Sequence, residues 1–187
     1  GVLFVVATFG IGQVGIGYNR GRFNGSEAAN TRDPAAWEYA IAIYQNAIDR
    51  APNEDFYYLF LGRSYLELSN VTTDAARREQ LLAEAQQQLF TAQEINPLNT
   101  DHTANLARLN TLWANNSSDA VASAQRLAAA EQFYKRALEL SPQNSVIRNE
   151  YARLVLSQGQ NCSGCLDVYE QSATIDPFFA DTFFAWA

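Results

Sequence analysis

Few side chains in this chain are of a type and spacing that would do chemistry. His102 is the only histidine. Asp101 beside it would suit a base or a metal ligand, but one His without a Cys/His cluster makes a poor metal site, and a surface place at a helix N-terminus is expected instead. Cys162-Ser163-Gly164-Cys165 is a CxxC. It lacks the His of a haem attachment site and the second CxxC of a zinc site. A local disulfide in an oxidising, extracytoplasmic setting is the leading reading. Two free thiols in a helix turn are the plain alternative, and a redox catalyst would need a thioredoxin-like strand pattern that is missing. Arg63, Arg108 and Arg153 recur at intervals of 45 residues. Asn-x-Ser/Thr sequons start at Asn24, Asn70, Asn115, Asn116 and Asn161. They are candidate glycosylation sites, although Asn, Ser and Thr also gather at turns for conformational reasons. No catalytic residue, metal site or cofactor is expected.

The elements that must position these groups come from repeats. Ala40, Tyr44, Ala47 and Pro52 form a small, large, small, Pro pattern. The same offsets give Ala85, Leu89, Ala92, Pro97, then Ala130, Tyr134, Ala137, Pro142, and more weakly Cys165, Tyr169, Ser172, Pro177. Such spacing puts the first three residues on one helical face. Small residues there let a neighbouring helix approach, and Pro forbids continuation. A second pattern alternates with the first: Tyr58, Leu61, Gly62, Tyr65; Thr103, Leu106, Ala107, Asn110; Arg148, Tyr151, Ala152, Val155.

These half-patterns resemble helices B and A of the tetratricopeptide-repeat (TPR) family over residues 34–187. The resemblance implies an all-α fold, a TPR-type α-solenoid of stacked antiparallel helix pairs. Helices are expected near 34–50, 54–68, 73–95, 100–114, 118–140, 144–157, 164–175 and 179–187, with Leu61, Ala92, Leu106, Ala137 and Tyr151 buried. Two units run to 45 residues against about 34 for the family, which predicts long B helices. Thr72-Thr73-Asp74 and Ser117-Ser118-Asp119 are placed to cap their starts. In this register Arg63, Arg108 and Arg153 share one position of helix A on the concave face. There they would form a groove for carboxylates or carbonyls of an extended peptide, or pair internally with Glu67, Glu150 or another acid. Most aromatics among Phe56, Tyr57, Tyr58 and Phe60 are expected in the core. The runs Tyr44–Gly62 and Ile95–Ala107 also look like the TPR region after the last membrane helix of bacterial O-antigen ligase-like proteins. The catalytic residues of that family lie in its membrane part, so none carries over.

Composition narrows the partners. Hydrophobic residues make up 48% and the net charge is −7, with 13 basic residues, of which only Lys135 is lysine. A packed core is affordable, and a nucleic-acid partner is disfavoured. Residues 1–20 form an apolar, Gly-rich arm, read as a membrane-helix stump or a segment covered by another subunit, and 21–33 a polar linker ending at the helix start Asp33-Pro34. The absence of Met suggests a processed chain or a fragment. Incomplete half-repeats are expected at both ends. Val2, Leu3, Phe4 and Phe9 in the arm, with Phe183, Phe184 and Trp186, would then be assembly residues for head-to-tail self-association. Three non-catalytic readings follow: a scaffold self-assembling into an extracellular filament, the extracytoplasmic accessory domain of an O-antigen ligase-like membrane glycosyltransferase, and a peptide-binding adaptor. The expected partner is the chain itself or another polypeptide, and the expected location is extracytoplasmic: extracellular, at the cell surface, or on the periplasmic side of a membrane protein.

Overall fold

A computed structural model describes residues 33–159, 163–178 and 182. Among them are seven helices and no strand: α1 (Pro34–Arg50), α2 (Asp55–Val71), α3 (Ala75–Ile95), α4 (Thr100–Asn116), α5 (Ala120–Leu140), α6 (Ser145–Ser157) and α7 (Ser163–Ile175). The expected fold class holds. The apolar arm, the linker as far as residue 32, the assembly residues Phe183, Phe184 and Trp186, and almost all of the helix expected over 179–187 lie outside the described residues.

Local chemistry sets the boundaries. Pro34 opens α1, and the Asp33 carboxylate accepts from Ala35 N–H at 3.0 Å. Asp74 caps α3 by accepting from Arg77 N–H at 2.7 Å, and Asp119 caps α5 through Val121 N–H at 2.8 Å. Asn99 and Asn144 cap α4 and α6. Each such acceptor satisfies one of the donors that a helix start leaves unpaired. The stops repeat with equal regularity. The residue before each repeat proline donates its N–H to the carbonyl of the last small residue of the pattern: Ala51 to Ala47, Asn96 to Ala92, Ser141 to Ala137 and Asp176 to Ser172, all at 2.9–3.0 Å. Proline then blocks any further turn.

The chain divides into two compact units, residues 1–97 and 98–187. In the first, α2 packs on both α1 and α3. Ten of its 17 residues are buried, so it is the centre of that unit. Tyr44 of α1 stacks on Phe60 of α2 with centroids 5.7 Å apart. On the other side Gly62 meets α3. A Cβ there would stand 2.8 Å from Leu89 Cγ and 3.2 Å from the Ala85 carbonyl oxygen, which is why this crossing takes glycine. Fully burying Leu89 contributes about 1.5–3 kcal/mol.

In the second unit α5 packs on α4 and α6, and α6 on α7. Its core is Ala104, Ala107, Ala130, Tyr134, Ala137, Ile147 and Leu154. Leu61, Ala92, Leu106 and Ala137 are buried as expected. Tyr151 is not: it is half-buried, its ring tilted against Tyr134 and its hydroxyl reaching Glu131. A tyrosine with a polar tip settles at the edge of a core where that tip finds a partner. The extra length of the 45-residue units is also shared differently from the expectation. α3 and α5 are long, at 21 residues, but α2 and α4 also reach 17 residues against 13 for α6 and α7. Lengthening only one helix of an antiparallel pair would leave its apolar face uncovered.

Candidate interaction surface

The three arginines sit on the A helices α2, α4 and α6, with different surroundings. Arg63 is exposed and its guanidinium lies 5.9 Å from the centre of the Phe60 ring. Arg108 is half-buried and donates from Nε to Glu150 Oε2 at 2.9 Å. Arg153 is exposed, and among the described residues it makes no hydrogen bond or ion pair. Internal pairing therefore accounts for Arg108 alone. Glu150 stands on the A helix that follows that of Arg108.

Both charges of the Arg108–Glu150 pair act on the Tyr134 hydroxyl. Burial pushes its pKa well above the usual phenol value and the Glu150 carboxylate adds to the rise, while Arg108, the Thr111 side chain and Arg153 oppose it. Burial likewise raises Tyr169 of α7, at the same register position, with Arg153 opposing. Phe56 is exposed on the first turn of α2, Tyr57 is buried, and Tyr58 donates its hydroxyl to the Pro52 carbonyl.

The other sequence-marked groups fall as follows. His102 is wholly buried, which corrects the expected surface position. It stands five residues after Pro97, where the neighbouring copies carry Tyr57 and Ile147, both buried. That position faces inward whatever residue fills it. Of the sequon asparagines, Asn70, Asn115 and Asn116 are exposed, and Asn24 and Asn161 lie outside the described residues. So do Cys162 and the side chain of Cys165, and with them the disulfide. Among the described residues no group of His, Cys, Asp and Glu is arranged to hold a metal ion, and no helix is long and apolar enough to cross a membrane.

One cluster escaped the sequence reading. The Arg126 guanidinium lies 3.5 Å from the centre of the Trp113 ring and donates to Asn110 Oδ1 at 3.4 Å. A cation over an aromatic face is favourable, the more so when sheltered from water. The available signal was that Arg126 is the only charged residue between Ala120 and Ala130.

No family model and no curated protein matches the chain. Solved structures do. A thermophilic TPR protein of Thermus thermophilus, TTC0263, is 21% identical with a TM-score of 0.69, covering 95% of this chain and 96% of that one. YrrB, a TPR protein with an unusual peptide-binding site, is 17% identical with a TM-score of 0.53 over 88% of this chain and 71% of that one. The first TPR of Spaghetti (RPAP3), bound to the HSP90 peptide SRMEEVD, is 17% identical with a TM-score of 0.51 over 76% of this chain and 95% of that one. At such identities the likeness speaks for architecture, and the caps, small-residue crossings and proline stops found here agree with it: the chain has the fold of the TPR proteins.

Proposed function

We propose that this chain is a non-catalytic scaffold that binds extended polypeptide segments through the exposed arginines of its A helices. The recurrence of arginine at one A-helix position carries this reading, with Arg63 and Arg153 exposed. Guanidinium groups read backbone carbonyls and carboxylates well. TPR proteins whose structures are similar include one with a peptide-binding site and one bound to a peptide, which supports the same mode. The test is retention of a degenerate peptide library on immobilised protein. Retention by the wild type that falls at least several-fold in the double variant Arg63→Gln, Arg153→Gln supports the proposal. A wild type that retains no peptide ends it.

Self-assembly is the second reading, and a specific observation favours it. α1 carries the B-helix pattern, with Ala40, Tyr44 and Ala47 buried. Thr182, after α7, is helical and buried, and its hydroxyl accepts from Asn149 Nδ2 of α6 at 2.8 Å, as the first turn of a further A helix would. A B element and an A element from different copies would complete each other head to tail, closing a ring or running on as a filament. An extracellular filament would be one outcome. A third reading, carried by the sequence resemblance of 44–62 and 95–107 alone, makes this part the accessory domain of a membrane glycan ligase. Sedimentation and negative-stain microscopy discriminate. Regular polymers, lost on replacing Phe183, Phe184 and Trp186 by Ser, support self-assembly, and a monomer at high concentration excludes it.

A further inference from the structure

We infer that the turns joining helix A to helix B are sites of N-linked glycosylation, with Asn70 and Asn115 the acceptors in the described part of the chain. A random arrangement of the residues present would give about 1.7 sequons, and the chain has five. Four of the five start at positions 24, 70, 115 and 161, spaced 46, 45 and 46 residues apart. Turn chemistry accounts for the hydroxyl residues, because Thr72 donates to the Leu68 carbonyl and Ser117 accepts from the Asp119 N–H, but it does not account for the asparagines. It enriches Asn, Ser and Thr at both kinds of turn, and the B-to-A turns do carry Asn53, Asn96, Asn99 and Asn144. None of those four is followed two residues later by Ser or Thr. Among the described residues the sequons occur only in the A-to-B turns.

The structure also removes the structural reason for asparagine there. The starts of α3 and α5 are capped by Asp74 and Asp119, so neither Asn70 nor Asn115 serves as a cap. Both stand in the last turn of an A helix, where asparagine is a poor helix former, and both are exposed. Asn70 makes one surface hydrogen bond, from Nδ2 to Glu67 Oε2 at 3.2 Å. Asn115 makes no side-chain hydrogen bond among the described residues. The hydroxyl residues of the two sequons, Thr72 and Ser117, are the C-caps of α2 and α4, and both have extended backbone, with φ −81°, ψ 124° and φ −80°, ψ 132°. Each sequon thus straddles the point where a helix opens into a turn, on a surface that admits a bulky substituent.

The transfer joins Asn Nδ2 to C1 of the first sugar of a polyprenyl-diphosphate-linked oligosaccharide. The C1–O bond to phosphate breaks, the lipid diphosphate leaves, and the amide gives up one proton to the transferase. The experiment is intact-mass and site-resolved peptide mass spectrometry on chain purified from the cells that make it. Sugar mass on Asn70 and on Asn115 is expected. Thr72→Val should lose one glycan from the intact mass, and Thr72→Ser should keep it. Unmodified Asn70 and Asn115, or sugar localised on Thr72 itself, overturns the inference.

Discussion

The α2–α3 and α4–α5 pairs have helices of equal length in the same register, yet they solve the same crossing differently. In the first, Gly62 admits Leu89. In the second, the equivalent residues are Ala107 and Tyr134, a larger pair whose buried phenol must be served by Thr111. Their outer faces differ too. α3 opens with Arg77, Arg78, Glu79 and Glu84, where α5 has Ala122, Ser123, Ala124 and Ala129. The repeat fixes backbone spacing while leaving the choice of side chains open, provided that volume and hydrogen bonding still balance.

The largest test of that balance is Leu89→Ala. Leu89 is fully buried, so removing its side chain leaves a cavity and should cost about 3 kcal/mol by denaturant unfolding. Gly62→Ala comes next. The new Cβ would lie under 3.0 Å from Leu89, and overpacking of about 1–3 kcal/mol should exceed the roughly 1 kcal/mol gained in helix propensity. The double variant should lose less than the two single losses combined, because the Cβ enters the space that Leu89 vacates. Strict additivity would show that Gly62 and Leu89 do not share the crossing.

Tyr134 offers a pH test that Leu89 cannot. Its folded pKa is raised above the unfolded value, so the fold holds the neutral phenol. That stability is complete below about pH 10 and is lost as pH rises further, because only the unfolded chain gains by releasing the proton. The slope should be up to about 1.4 kcal/mol per pH unit. Tyr134→Phe should flatten the alkaline limb of the stability curve, and an unchanged limb would assign the loss to the other buried tyrosines, Tyr65 and Tyr169, whose pKa values are also raised by burial.

Much of this was legible in the sequence, because prolines and small residues are local signals. Proline ends a helix that reaches it and is accepted only in the first turn, as at Pro34, and Ala92 or Gly62 marks a close crossing by size alone. His102 shows where the reading failed. Residue type alone places a histidine beside an aspartate at the surface, whereas Tyr57 and Ile147 at the same register position mark the site as inward-facing. Tyr151 failed for the opposite reason: the register said core, and its hydroxyl drew it toward Glu131. Contacts such as Arg126 on Trp113 depend on side-chain reach between helices, which no spacing rule reports.

The smallest expected effect concerns the pair that separates Arg108 from its two counterparts. Arg108 and Glu150 retain 32% and 20% of their side-chain exposure, so water still screens the charges. A double-mutant cycle with Arg108→Gln and Glu150→Gln should give a coupling of about 0.5–1 kcal/mol, shrinking in high salt. The binding consequence is sharper than the stability one. A guanidinium already committed to a carboxylate has less to offer a ligand, so Arg108→Gln should weaken peptide retention less than Arg63→Gln or Arg153→Gln does. Glu150→Gln releases Arg108 and should strengthen retention of acidic peptides. If Arg108→Gln instead proves the most damaging of the three, the ion pair opens on binding, and Glu150 is a gate on the surface rather than a fixed partner.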